Sequence, residues 1–208
     1  MVAYRKCQAM AEKENRYFIA LIPPPPACDH ILKLKQYVAE KYATRAALRS
    51  PPHITLHMPF RFRGDRENEL AERLAGFATS FEPFKVCLDN YDCFPPRVLF
   101  IGVAVSEALN QFQKVLERYC RTEFNLLNAN RRDEPYHPHL TLAFRDLKKD
   151  KFKEAWEEFR NLEYKAAFMA DRFALLKHDG QRWNVFREFI FDSSWSTDTR
   201  EELATTEG

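Results

Sequence analysis

The sequence predicts an α+β fold built of two pseudo-symmetric βαβαβ lobes, with mainly antiparallel sheets facing a central cleft. Three observations carry this expectation. Strand-like and helix-like apolar periods alternate in the order β-α-β-α-β, and that order runs twice along the chain. The middle strand of each run carries nearly the same segment, His53-Ile54-Thr55-Leu56 in the first and His139-Leu140-Thr141-Leu142 in the second. Each segment directly follows a proline, Pro52 or Pro138, and the separation between them is one run length. Outside these segments the two halves share little sequence, so the duplication rests on the order of elements.

The elements read as follows. Residues 17–22 form a short apolar strand, and Pro23 to Pro26 make a stiff connection. A helix over residues 29–48 aligns Ile31, Leu34, Val38 and Tyr42 on one face. The strand 53–60 follows. A second helix, 65–80, carries Leu70, Leu74, Phe77 and Phe81 as its stripe, with Asp65 as N-cap. Residues 84–94 complete the first run as a strand. The second begins with strand 97–105. Ser106 then caps a helix bearing Leu109, Phe112, Leu116 and Tyr119. A polar loop, 128–135, leads to strand 137–144, and a helix over 148–162 buries Phe152, Trp156 and Phe159. Strands 168–177 and 183–191 flank Asp179-Gly180, a pair that favours a tight hairpin. The expected organisation is a single bilobal domain over residues 16–192, with lobes at 16–94 and 97–192, between tails 1–15 and 193–208.

Composition sets limits on function. A chain of 208 residues that is 45% hydrophobic, with 18 Phe, has enough apolar surface for a sizeable core. Its charged residues are plentiful but balanced, with a formal net charge of +2, so bulk charge does not argue for a nucleic-acid coat protein. No apolar stretch approaches the ~20 residues of a membrane span, and the first residues hold no signal-peptide core. Five cysteines without a tight framework fit a reducing cytoplasm, where they read as buried small apolar residues. Monomer is the expected state, because internal duplication already supplies the pairing a homodimer would offer.

Strand alternation gives the two motifs their chemistry. His53 and Thr55 point to one face, as do His139 and Thr141. If the two strands meet, two imidazoles and two hydroxyls converge. Two histidines serve as general acid and base, and hydroxyls donate to anionic oxygens. Such a site moves a phosphoryl group with no cofactor and no metal. Alternation also places His57 and His137 on those faces, as candidate substrate contacts. Of the arginines in or beside expected cleft-edge loops (Arg61, Arg63, Arg66, Arg97, Arg131, Arg132 and Arg145), Arg145 is the first candidate for a phosphate contact. Phe60 and Tyr136 are candidates for stacking on a base. His30 and His178 read as surface residues.

With these residues in place, the chain resembles the 2H phosphoesterase superfamily. Pro51-Pro52-His53-Ile54-Thr55-Leu56 and Tyr136-His137-Pro138-His139-Leu140-Thr141-Leu142-Ala143-Phe144 look most like its 2′-5′ RNA ligase-like branch. The resemblance covers residues 17–191. It implies a bilobal fold and metal-free chemistry on 2′,3′-cyclic or 2′-5′ phosphodiesters, with an RNA end or a small cyclic nucleotide as partner. His53 and His139 are then acid and base, and Thr55 and Thr141 hold the phosphate.

Two rival readings stand beside it. His137-Pro138-His139 is an H-x-H pair that could bind a metal with His53 or His57 as third ligand, Asp133, Glu134 and Asp146 being the nearby carboxylates. Alternatively, the cleft holds RNA or a nucleotide without turnover. No Gly-x-Ser-x-Gly elbow and no Gly-rich phosphate loop occurs, so a serine-nucleophile enzyme and an NTP-dependent ligase are disfavoured.

Overall fold

In the computed structural model, residues 13–128 and 135–192 are described. The chain runs through β1 (Glu14–Leu21), α1 (Ala27–Lys41), a 3-10 turn (Ala46–Arg49) and β2 (Ile54–Arg63). A second 3-10 turn (Gly64–Arg66) leads to α2 (Glu67–Ala78), β3 (Phe84–Phe94), β4 (Val98–Val103) and α3 (Glu107–Phe124). Then come β5 (His139–Ala143), α4 (Lys149–Phe159), β6 (Lys165–Ala170), β7 (Arg172–His178) and β8 (Trp183–Ile190). The α+β class and the double βαβ order are as the sequence predicts.

The eight strands of the described residues join one antiparallel sheet, ordered β6-β3-β4-β5-β2-β1-β7-β8. The sheet exchanges strands between the halves of the chain. β3, from the first half, pairs with β4 and β6, while β7 and β8, from the end of the chain, extend β1. The lobes of the sheet are therefore β6-β3-β4-β5 and β2-β1-β7-β8, and they do not coincide with residues 16–94 and 97–192. The expected strand 168–177 is in fact two strands, with only Asp171 between them. Six ladder spacings separate β6 from β7 in the sheet, about 29 Å if it were flat. A single linking residue cannot bridge that span, so the sheet curls until the start of β7 reaches the end of β6.

The helices cover one face. Ile31 and Val38 of α1, Leu70, Leu74 and Phe77 of α2, Phe112 and Leu116 of α3, and Phe152 and Phe159 of α4 pack with alternate residues of the strands in one continuous core. On the other face a small cluster of Phe18, Ala20, Ala174 and Leu176, flanked by Trp183, forms part of the cleft floor.

Local chemistry explains where elements start and stop. The Ser106 hydroxyl accepts from the Leu109 amide at 3.2 Å, the expected cap of α3, and Asn125, in the left-handed region at φ 54°, ends that helix. Asp65 does not cap α2; its carboxylate pairs with Arg63 and α2 starts at Glu67. The helix expected over 29–48 stops at Lys41, because Ala43 takes a left-handed φ of 52° and the Thr44 hydroxyl turns to Asp146. Of the described cysteines only Cys120 is fully buried. Cys28, Cys87 and Cys93 are half-exposed, at a helix start and on β3, and Cys7 lies outside the described residues.

Candidate active site

β2 and β5 meet at the centre of the sheet through one cross-strand partner pair, Ile54 opposite Leu140. Both side chains are buried on the helix side. The same antiparallel register sets His53 opposite Thr141 and Thr55 opposite His139, all on the cleft face. The ladder does not continue beyond that pair, so the strands part on either side and leave room between the motifs. The four residues that the sequence singled out first are thus brought together.

The surroundings of the two histidines match. His53 packs on Phe18 of β1, ring centroids 4.8 Å apart, and His139 packs on Phe100 of β4 at 4.9 Å. Nδ1 of His53 lies 2.8 Å from the Pro51 carbonyl oxygen, and Nδ1 of His139 lies 2.8 Å from the His137 carbonyl oxygen. A carbonyl only accepts, so each Nδ1 carries the hydrogen, and in the neutral ring Nε2 is left with its lone pair. The tyrosine before the second motif adds a staple: Tyr136 donates to the Thr55 carbonyl at 2.9 Å and fixes the loop before β5 onto β2.

Both imidazoles are held neutral at pH 7. Burial lowers His53 to about 4, and the Lys35 ammonium and His139 add to it against the opposing bond to Pro51. Burial lowers His139, against the opposing bond to the His137 carbonyl, and the nearby His137 imidazole adds a smaller lowering. Lys35 is a group the sequence reading missed. It is 1% exposed in α1, donates to the Ser50 carbonyl at 2.7 Å, and is itself pushed down to about 8 by burial.

Beside His139 a cavity of about 160 Å³ is lined by Thr55, Met58, Asn128, Tyr136, His137 and His139, with Leu56 and Pro135 completing the wall. Tyr136 and His137 thus line this cavity, beside His139. Phe94, at the end of β3 and 38% exposed, was not singled out from sequence, yet its ring edge meets both His137 (5.1 Å) and His139 (5.3 Å). The duplicated order gave a signal for Phe18 and Phe100, since β1 and β4 are the corresponding strands of the two runs.

Three expected contacts are overturned. His57 does not face the cleft. Between Ala20↔Thr55 and Ile19↔His57, β2 uses two residues against one of β1, a bulge that reverses the alternation. His57 is therefore 0% exposed on the core side, with Nδ1 at 2.9 Å from the Met58 carbonyl and Nε2 without a partner among the described residues. A second irregularity carries Phe60 to the same side, where it is buried and stacks on Tyr17. Arg145 sits past the far end of β5 at φ 61°, its guanidinium 5.0 Å over the Phe144 ring, outside the cluster.

The other arginines divide similarly. Arg61, Arg63 and Arg66 face Glu14, Asp65 and Glu69. Arg97 is exposed beyond Phe94, and Arg131 and Arg132 lie outside the described residues, as do Asp133 and Glu134. Among the described residues no three His, Cys, Asp or Glu side chains are grouped to hold a metal ion. The carboxylate of Asp146 is engaged by Thr44 and by the amides of Arg45 and Ala46.

Comparison with known proteins agrees with this architecture. The family model of the 2′-5′ RNA ligase superfamily matches residues 23–182. The chain belongs to that superfamily, within the 2H phosphoesterases. It is 24% identical over 178 residues to a Geobacillus kaustophilus protein named provisionally as a phosphoesterase, covering 84% of this chain and 95% of the relative. It is 24% identical over 185 residues to the RNA 2′,3′-cyclic phosphodiesterase of Methanocaldococcus jannaschii, covering 84% and 99%. Its fold is similar to that of E. coli LigT, solved with 3′-AMP, at a TM-score of 0.58 and 18% identity over 86% of this chain and 99% of the other. No helix among the described residues is long and apolar enough to cross a membrane.

Proposed function

We propose that this protein is a metal-independent phosphoesterase that opens 2′,3′-cyclic phosphates, or cleaves 2′-5′ phosphodiesters, of nucleotides or RNA ends. The observation that carries the reading is the matched pair of His–Thr units on β2 and β5, each with Nδ1 tied back and Nε2 turned free as an acceptor.

The chemistry follows from the two environments. An anionic phosphate between the imidazoles favours their charged forms, as any opposite charge within about 4–6 Å does. The first proton goes to His139, because His53 is depressed further and has the Lys35 ammonium behind it. Neutral His53 then takes a proton from water through Nε2 as the water oxygen bonds to phosphorus. Protonated His139 gives its Nε2 proton to the ribose oxygen as the P–O bond breaks. Thr55 and Thr141 donate to the non-bridging oxygens, where charge builds. With the 5′-hydroxyl of a second RNA end in place of water, the same ring opening is ATP-independent 2′-5′ joining: His53 takes the hydroxyl proton as its oxygen bonds to phosphorus, and His139 protonates the ribose 3′-oxygen as that P–O bond breaks.

Hydrolysis of 2′,3′-cyclic nucleotides and of cyclic-ended oligoribonucleotides in EDTA tests the reading, with wild type beside His53→Ala and His139→Ala. Turnover that both substitutions abolish supports it. Activity that EDTA removes and added metal restores would move the function to a metal-dependent hydrolase. Tight binding of an RNA end without turnover would make the chain a binding module.

A further inference from the structure

Beyond the four motif residues, a second feature opens on the His53 side of the cleft. The 3-10 turn Ala46–Arg49 and the tip of the β7–β8 hairpin enclose a groove of about 480 Å³, lined by Arg45, Leu48, Arg49, Gly180, Gln181 and Arg182. The three arginines are exposed. No described side chain forms an ion pair with any of them, whereas Arg61, Arg63, Arg66, Arg73, Arg160 and Arg172 each meet a carboxylate.

The nearest carboxylates build the groove's walls instead of neutralising it. Asp146 accepts the amides of Arg45 and Ala46 at 2.8 and 3.0 Å, which fixes the start of the 3-10 turn. Asp179 accepts the amides of Gln181 and Arg182 at 2.8 and 2.7 Å and the Asn184 side chain at 2.8 Å, which fixes the hairpin tip. Gly180, at φ +107°, supplies the left-handed conformation that this turn requires. Two rigid backbone segments therefore present three guanidiniums toward one channel, where bidentate donors suit phosphate oxygens.

The groove lies close to His53. Arg49 is four residues from His53 in the chain, a span of at most about 14 Å. A row of rings joins the two places: His53 on Phe18 at 4.8 Å, Phe18 on Trp183 at 4.7 Å, and Trp183 next to Arg182 in sequence. Trp183 is half-buried, and Arg16 lies 5.7 Å over its ring.

We propose that this groove is a subsite for the phosphodiester backbone of single-stranded RNA, taking the nucleotides that precede the end held between His53 and His139. The subsite rests on the phosphoesterase reading for its position and on the arginine geometry for its ligand. A mononucleotide fills the space between the motifs and does not extend to Arg45, Arg49 and Arg182. An oligoribonucleotide does.

Two measurements test it, on the full chain. The first is turnover of a 2′,3′-cyclic mononucleotide and of a cyclic-ended hexaribonucleotide by wild type and by Arg45→Ala/Arg49→Ala/Arg182→Ala. The kcat/KM for the hexamer should fall about 10–100-fold, while that for the mononucleotide stays within about threefold. The second is anisotropy of a labelled, 3′-phosphorylated hexaribonucleotide as salt is varied. Each phosphate contact in a single strand contributes a slope of about −0.7 in log K against log salt, so the triple variant should flatten the slope by about 2. A charge-matched control, Lys114→Ala/Arg118→Ala/Arg121→Ala on the far side of α3, should leave both readouts unchanged. Equal losses on both substrates, an unchanged salt slope, or the same loss in the control would overturn the subsite. Wild type that turns over neither substrate while the slope still flattens would refute the catalytic reading and leave the subsite standing.

Discussion

His53 and His139 make the same hydrogen bond: each Nδ1 sits 2.8 Å from the carbonyl oxygen two residues earlier, Pro51 in one case and His137 in the other. The bond fixes both the tautomer and the tilt of each ring. It also makes the two halves of the site chemically alike, so their roles have to be set by what lies behind them. On the proposed mechanism, replacing either imidazole by Ala removes an acid or base and should lower kcat by about 10²–10⁴-fold. The rings lie on the cleft face, outside the main core, so thermal unfolding should show the folded state retained. Activity within tenfold of wild type in the double variant would refute the two-histidine mechanism.

Lys35 is the clearest asymmetry behind the rings. Its ammonium is almost fully buried and is one of the two charges that lower His53 after burial. Lys35→Met removes that charge with little change of volume, so the His53 pKa should rise. The acidic limb of the pH–rate profile should move to higher pH with it, and the His53 ring signals in NMR should titrate later on the same scale. The Ser50 carbonyl loses its donor, so a loss of about 1–3 kcal/mol of stability is expected as well. A pH–rate profile that does not move would remove Lys35 from the mechanism and leave it a structural residue.

Thr55 and Thr141 stand beside His139 and His53 across the β2–β5 pair. In the proposed mechanism each hydroxyl bonds a non-bridging oxygen more strongly as charge develops. Thr55→Val and Thr141→Val keep the branched shape and should lower kcat/KM about 10–100-fold, less than loss of a histidine. The shape of the pH profile should stay as in wild type, because no titrating group is removed. A shifted profile would show that the hydroxyls position the imidazoles as well.

How much of this was legible in the sequence depended on the range of the interaction. The motif residues repeat in the chain, and alternation alone puts His53 with Thr55 and His139 with Thr141, so the centre of the site could be read directly. Lys35 had a readable signal, since it falls on the same helical stripe as Ile31, Val38 and Ala39. A lysine among buried positions marks a group with a partner or a purpose. The bulge that turns His57 inward had none. It depends on which residues of β1 and β2 pair, and Ile54 to Arg63 still reads as an uninterrupted strand. The split at Asp171 is similar. Residues 165–178 form one extended run, and only the pairing of β6 with β3 and of β7 with β1 separates them. The exchange of strands between the halves was hidden for that reason.

His57 offers a test of the corrected strand. It is fully buried, Nε2 has no partner among the described residues, and burial lowers its pKa. Leaving a ring nitrogen unpaired in the core costs about 1–3 kcal/mol. His57→Leu removes the unpaired atom at similar bulk, and the released Met58 carbonyl belongs to an exposed residue. Stability should hold or increase, and kcat/KM on a cyclic nucleotide should stay within about threefold. A large loss of kcat/KM in a stable variant would return His57 to the cleft face.

The depressed histidines also set the acid stability. His53 is lowered from 6.5 to about 4 in the folded protein, and His57 and His139 are lowered too. In the unfolded chain these rings take up protons near pH 6.5, so below that pH the unfolded state binds more protons than the folded one. Stability contributed by the neutral rings is complete above pH 6.5 and is lost as pH falls through 6.5 toward 4. His53 alone accounts for roughly 3 kcal/mol over that window. The Tm should therefore fall steadily between pH 7 and 4.5 in wild type, and His53→Gln should flatten that fall. An anionic ligand between the imidazoles should flatten it as well, because it restores the charged forms in the folded state. A Tm that is level from pH 7 to 4.5 would mean that the rings take up protons without strain and that the cleft is wetter than its packing on Phe18 and Phe100 implies.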